Sequence, residues 1–291
     1  MIALDRAWLA ANPLPPCDGA TDKNARGRVL IAGGSEQLPG ALRLTGEGAL
    51  RAGAGKVQLA TVERAALGLG LAMPEAAVFG LTANGAGELG GAAGRELAGL
   101  LERCDTLVLG PGTGADADAG PLLDAVLAAK HSAPTLLLDA AMLAVAAERD
   151  AAIAGRTGGT VLTPHPGEMA GLMAVDPERI ARAPADIALA AATRFGAVVA
   201  LKGPETHIAT PEGTVLRYPE GGPGLATGGS GDVLAGAIGG LLARGADPLI
   251  ATAWGVWLHG EAGRRLAARV GPIGFLGREL PQEIPGLMAA G

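Results

Sequence analysis

The feature that most constrains this chain is a repeated unit in which a short, near-continuous apolar run ends in glycine or a polar residue and gives way to a helical pattern. Arg28–Ala32 (RVLIA) ends in Gly33-Gly34-Ser35, and a small-residue helix is predicted from about Pro39 to Gly53. Lys56–Thr61, Thr106–Leu109, Thr135–Asp139, Val161–Thr163 and Ala197–Lys202 are further strands of the same kind. Helices are predicted near Gly120–Lys130 and Pro177–Phe195. Strands apolar on both faces and alternating with helices imply a mostly parallel sheet covered on both sides. After Lys202 the pattern changes. Thr206–Ala209 and Thr214–Tyr218 flank Thr210-Pro211-Glu212-Gly213 as a hairpin, and helices open at about Ser230 and Pro248. No linker or internal repeat interrupts the pattern, so residues 1–291 are read as a single α/β domain.

Composition narrows what such a fold does. Apolar residues reach 49% with only 2% aromatics, so the core must be built from Ala, Leu and Val. The 48 glycines lie between apolar runs, where they serve turns, close packing and phosphate approach. A net charge of -6 without a Lys/Arg cluster argues against nucleic acid as a partner. Anionic nucleotides remain accessible through backbone N–H groups and a few cations. Charge-free stretches such as Pro248–Gly260 run to 13 residues. A membrane span needs about 20, so none is expected. Two isolated cysteines, Cys17 and Cys104, and an N-terminus without signal-peptide order point to the cytoplasm.

Ligands of open α/β sheets lie beyond the carboxyl ends of the strands. Asp139, His165, Lys202 and two glycine loops all follow predicted strands or open predicted helices. In Gly221–Gly236 (GGPGLATGGSGDVLAG), Gly228-Gly229-Ser230-Gly231 precede Asp232 at a helix start. Such a turn aims unpaired N–H groups at one point, an anion hole formed by Gly229, Ser230 and Gly231 for a phosphoryl group in transfer. Asp232 would accept the proton of a substrate hydroxyl, with a pKa that the helix N-terminus is expected to lower. A plain helix cap explains one Asp or Ser but not four small residues ahead of it.

Gly110-Pro111-Gly112-Thr113-Gly114-Ala115 matches G-x-G-x-x-A, a weak signal in so glycine-rich a chain, and Pro111 and Asp116 suit a helix-opening phosphate loop poorly. It reads as a loop that lets a ligand approach the backbone. Gly55-Lys56-Val57 is not a P-loop. In Thr163-Pro164-His165-Pro166-Gly167-Glu168, His165 is a candidate substrate contact. Glu168 either orients a magnesium-bound water or begins the helix. Lys202 ends an apolar strand and is suited to meeting a phosphate as a point charge. Asp139 is either structural or part of the site. H-E-x-x-H, C-x-x-C and G-x-S-x-G are absent, which leaves zinc hydrolysis and serine-esterase chemistry without support.

IAGGS…PGA, GPGTG, LTPHPGE, ALKG and ATGGSGDVLAG together resemble the ADP/ATP-dependent NAD(P)H-hydrate dehydratases, from about Lys23 to Gly263. The resemblance implies a ribokinase-like fold. It also implies phosphorylation of the 6-hydroxyl of hydrated NADH or NADPH (NADHX, NADPHX), with phosphate then eliminated. ADP or ATP with Mg2+ would be the donor, and ADP is usual in bacteria. By resemblance, Ala41, Gly114, His165 and Asp232 would contact the hydrated substrate. Lys202, Gly203, Pro204, Glu205, Thr206 and Gly231 would line the nucleotide site. A homo-oligomer, a tetramer in the family, and a separate epimerase as functional partner are expected. The chain departs from the family pattern at Asp22-Lys23-Asn24, at Asp139-Ala140-Ala141 and at Ser230, where Thr is frequent. The rival readings are a kinase of the same fold acting on a vitamin alcohol or sugar, and a non-catalytic adenylate sensor. TPHPGE and GPGTG favour the dehydratase over the first, and Asp232 within a whole anion-binding turn argues against the second.

Overall fold

The computed structural model describes residues 1–16, 22–114, 118–129, 133–219 and 221–289. Cys17, Ala115, Asp116 and Lys130, invoked above, lie outside them. The strands are β1 (Ile2–Ala3), β2 (Arg28–Ala32), β3 (Lys56–Val62), β4 (Ala77–Leu81), β5 (Thr106–Leu109), β6 (Thr135–Leu138), β7 (Thr160–Leu162), β8 (Val198–Leu201), β9 (Thr206–Ala209) and β10 (Val215–Tyr218). They form one sheet in the order β1-β10-β9-β8-β7-β6-β5-β2-β3-β4. From β4 to β8 every pairing is parallel, and the β9–β10 hairpin adds antiparallel strands at that end. The expected hairpin is therefore present, with Val215 opposite Ala209.

Alternation along each strand sends successive side chains to opposite faces. Val29, Ile31, Val57, Leu59 and Val108 enter one core, and Leu30, Ala32, Ala60, Leu107 and Leu109 the other. The helices are α1 (Arg6–Ala11), α2 (Gly40–Arg51), α3 (Glu63–Ala72), α4 (Gly91–Ala98), α5 (Ala119–Leu127), α6 (Ala141–Ala146), α7 (Asp150–Ala154), α8 (Pro166–Met173), α9 (Pro177–Arg182), α10 (Pro184–Phe195), α11 (Ser230–Ala243), α12 (Pro248–Arg269) and α13 (Leu280–Met288). Side chains of α2, α11, α12 and α13 fill the first core, and those of α4, α5, α6 and α10 the second. Each Leu or Val so buried contributes about 1.5–3 kcal/mol. The single helix expected over Pro177–Phe195 is instead two. Ala183 precedes Pro184 and takes φ -142°, outside the helical region that a following proline disfavours.

Glycine sets the spacing of α2 and α11. A Cβ on Gly236 would fall 2.0 Å from the Thr45 carbonyl oxygen, and one on Gly240 2.6 Å from that of Ala49. The two helices run in the same direction, which brings both N-termini to the same edge of the sheet. That edge lies beyond the carboxyl ends of the parallel strands. Between β2 and β5 the strand order reverses, making the crevice where such sheets bind ligands. Among the described residues no helix is long and apolar enough to cross a membrane.

Candidate functional site

Each strand on this side delivers one group to the upper edge. Asp139 follows β6, Thr163 follows β7 and Lys202 follows β8. Their side chains meet. Lys202 Nζ donates to Asp139 Oδ1 at 2.9 Å, and Thr163 Oγ1 donates to the same oxygen at 2.8 Å. Asp139 is buried at 4% exposure, and Glu168 Oε2 lies 3.8 Å from Lys202 Nζ on the more open side. Burial acts to discharge the lysine, but Asp139, Glu168 and Asp232 outweigh it and raise its pKa above the ordinary value. Lys202 is thus a fixed cation in a partly dry site, and Asp139 belongs to that site.

The turn Gly228–Gly231 leads into α11 with Gly229 at φ +86°, a conformation glycine adopts without strain. A Cβ there would meet Leu44 of α2 at 2.3 Å. Against the simple-cap alternative, no side chain caps α11. Ser230 N–H donates to the Thr227 carbonyl, while the N–H groups of Gly231 and Asp232 have no acceptor among the described residues. Lys202 approaches the same turn, since a Cβ on Gly231 would stand 3.8 Å from its Nζ. Two unpaired N–H groups, the positive end of a 14-residue helix and an ammonium therefore converge.

Asp232 stands in the first turn of α11. Its pKa was expected to be lowered by the helix N-terminus. Instead, burial and then the charge of Asp139 raise it to about 6, against the pull of Lys202. Burial decides the sign. The result is a carboxyl poised to exchange a proton near neutral pH.

His165 is the N-cap of α8. Its Nδ1 accepts from the N–H groups of Gly167 and Glu168 at 3.0 and 3.3 Å, and Glu168 Oε2 accepts from His165 N–H at 2.7 Å. Glu168 therefore does begin a helix, within a reciprocal capping box. Because Nδ1 accepts, the neutral ring carries its hydrogen on Nε2, which lies 3.4 Å from Glu168 Oε1.

A cavity of about 730 Å3 opens beside these groups. His165, Lys202, Gly203, Pro204, Thr206, Ser230 and Gly231 border it, as does an apolar wall that includes Leu225, Leu234 and Val256. Glu205 does not border it, and its carboxylate pairs with Arg217 at 3.3 Å. Ala41 and Gly114 belong to the neighbouring crevice. Gly112 packs on Ala41 and beside Gly34, and Gly114 N–H donates to Glu88 Oε2 at 3.0 Å. Of the predicted residues, His165, Lys202, Gly203, Pro204, Thr206, Ser230 and Gly231 thus share one cavity, and Ala41 and Gly114 lie apart from it. Sequence reading passed over His259, which borders the cavity from α12. It lies near the end of the apolar run Pro248–Gly260, in which it is the only histidine.

Residues 29–286 match the family described as NAD(P)H-hydrate dehydratase. The chain is 48% identical over 282 residues to the ADP-dependent (S)-NAD(P)H-hydrate dehydratase of Xanthomonas campestris pv. campestris, covering 97% of this chain and 94% of that one. It is 37% identical to the bifunctional NAD(P)H-hydrate repair enzyme of Moorella thermoacetica over 99% of its own length, and spans 56% of that longer protein. The structure of the ADP/ATP-dependent NAD(P)H-hydrate dehydratase of Bacillus subtilis, co-crystallised with ATP and Mg2+, superposes with a TM-score of 0.83 at 28% identity, covering 99% of this chain and 98% of that one. Proteins of the ribokinase-like class share the fold, as the resemblance implied. On the fold, the uncapped turn before Asp232 and these likenesses, the chain belongs to the NAD(P)H-hydrate dehydratase family.

Proposed function

We propose that the chain is an ADP-dependent (S)-NAD(P)H-hydrate dehydratase, and that Asp232 and the turn before it carry the reaction. Asp232 takes the proton of the substrate 6-hydroxyl as that oxygen attacks the terminal phosphorus of ADP. The bridging P–O bond breaks and AMP leaves. The nitrogen lone pair of the hydrated ring then expels phosphate from the same carbon. Loss of a proton from the adjacent carbon restores the reduced nicotinamide, so NADHX and ADP give NADH, AMP and phosphate. The observation that carries this reading is the α11 N-terminus, where unpaired N–H groups of Gly231 and Asp232 face the Lys202 side of the turn. Charge spreading over the transferred phosphoryl is stabilised at such a place.

The nucleotide would occupy the 730 Å3 cavity, with its base on the apolar wall and its phosphates toward Lys202 and Gly231. The hydrated ring would lie between Asp232 and the crevice of Ala41 and Gly114, with His165 alongside. Among the described residues no three His, Cys, Asp or Glu side chains converge as a metal cage. Magnesium fits best as a companion of the nucleotide phosphates, reached through water by Glu168 near Lys202. When bound, it would offset phosphate charge.

One continuous sheet supports a single domain over residues 1–291. Exposed Leu38, Leu67 and Leu71 support a homo-oligomer, the buried free thiol of Cys104 supports a cytoplasmic setting, and the bifunctional relatives support pairing with an epimerase. The reading is tested by mixing the protein with hydrated NADH, Mg2+ and either ADP or ATP, and following the near-ultraviolet absorbance of the reduced ring. A rise that requires ADP is expected. A rise with ATP alone would overturn the choice of donor.

A further inference from the structure

The α12 helix lays a histidine under the anion-binding turn. His259 Nε2 lies 2.9 Å from Ser230 Oγ and 3.0 Å from the Ser230 carbonyl oxygen. A carbonyl oxygen only accepts, so the second contact is attractive only when Nε2 carries a hydrogen. The other tautomer would set a ring lone pair against the carbonyl lone pairs at 3.0 Å. With the hydrogen on Nε2, Ser230 Oγ is also an acceptor of that N–H. Its own hydrogen then has to point elsewhere, and the open direction is the cavity that Ser230, Gly231 and Lys202 border. Burial, aided by the charge of Lys202 and opposed by the bond to the Ser230 carbonyl, pushes the His259 pKa down to about 4. At physiological pH the ring therefore holds one hydrogen, not two.

We propose that His259 is a positioning residue, whose Nε2–H holds both oxygens of Ser230 so that the serine hydroxyl and the adjoining Gly231 N–H are aimed at the transferred phosphoryl group. The proposal rests on the reading that this turn takes a phosphoryl group. It explains why a polar ring interrupts the apolar face of α12 at this point. It also gives the Ser230 hydroxyl a fixed direction that packing alone would not impose.

Two experiments test it. In 15N-histidine-labelled protein, the His259 ring is expected to show the Nε2–H tautomer at neutral pH, and the Nδ1–H tautomer would overturn the proposal. The second is kinetic. His259→Leu is expected to lower kcat roughly 10–100-fold with KM for ADP little changed, as a misaimed donor would. His259→Gln, which can place an N–H near the position of Nε2, is expected to restore most of the loss. In a Ser230→Ala background His259→Leu should cost less than about threefold, because coupled groups are not additive. Equal losses in both backgrounds, or a Gln variant as poor as Leu, would reduce His259 to a packing residue. If the Leu variant does not fold, the Gln variant and the tautomer decide. Failure of the phosphoryl-transfer reading is distinguishable, because the wild type itself would then leave hydrated NADH unchanged.

Discussion

Asp232 is a carboxyl on which two influences conflict. The α11 N-terminus favours its charge, whereas burial and Asp139 oppose it and prevail, leaving a pKa of about 6. A folded-state pKa above the unfolded value means that the native state binds the extra proton. This group's contribution to stability is therefore full at low pH and declines as pH rises from 3.8 to about 6. Asp232→Asn should consequently be more stable than wild type at pH 8, by on the order of 2 kcal/mol, while retaining ADP binding. Turnover should fall by about 1,000-fold or more, since the group taking the proton is gone. Near-wild-type turnover would remove Asp232 from the mechanism. His259 acts with the opposite sign. Its depressed pKa withdraws stability as pH falls from 6.5 toward about 4, so the clean readout is the difference between the Asp232→Asn and wild-type pH–stability curves. Lys202 is held by the nearly buried Asp139, and Lys202→Ala strands that carboxylate. A loss of about 3 kcal/mol in urea unfolding is expected, with ADP affinity at least about tenfold weaker. Adding Asp139→Asn should return stability but not affinity. Full affinity in the single variant would make Lys202 structural.

At the scale of elements, the site depends on how closely α2 and α11 lie. Gly236→Ala gains helix propensity but places a methyl against the Thr45 carbonyl, a backbone atom that yields only if the helices separate. A net loss of about 2 kcal/mol is expected by denaturant unfolding, with a fall in kcat because both N-termini shift. An unchanged midpoint would refute the close-contact account. Much of this level was legible in the sequence. The runs at Arg28–Ala32 and Thr106–Leu109 are strands to the residue, and Ser230 and Pro248 open helices. Such runs are legible because a strand buried on both faces must be apolar throughout. The two-residue β1 and the edge strand β4, half exposed over Ala77–Phe79, lack that signature and were not read. Asp139, His165, Lys202 and Asp232 were legible because each directly follows a strand or opens a helix. His259 was not, because its meeting with Ser230 spans 29 residues and depends on how α12 packs against α11. The direction of the Asp232 pKa was likewise hidden, because burial is a tertiary property.

Across the whole molecule, the sheet arranges chemistry from one side to the other. The cavity proposed for the nucleotide lies toward β8 and the hairpin, and the segments that carry Ala41 and Gly114 lie where the strand order reverses. Beyond the crevice, α3 exposes Leu67 and Leu71 at 76% and 78% next to the edge strand β4. If copies of the chain associate through that face, light scattering should show a multiple of 28.6 kDa for wild type and a monomer for the variant with Leu67→Glu and Leu71→Glu. An unchanged multiple in the variant would assign assembly to another face. The most direct test of the account as a whole remains the absorbance of the reduced nicotinamide ring after the folded protein is mixed with hydrated NADH, Mg2+ and ADP. The account predicts a rise that needs the nucleotide and yields one AMP and one phosphate per ring restored. No rise with ADP or ATP would contradict it and favour a small-molecule kinase built on the same fold.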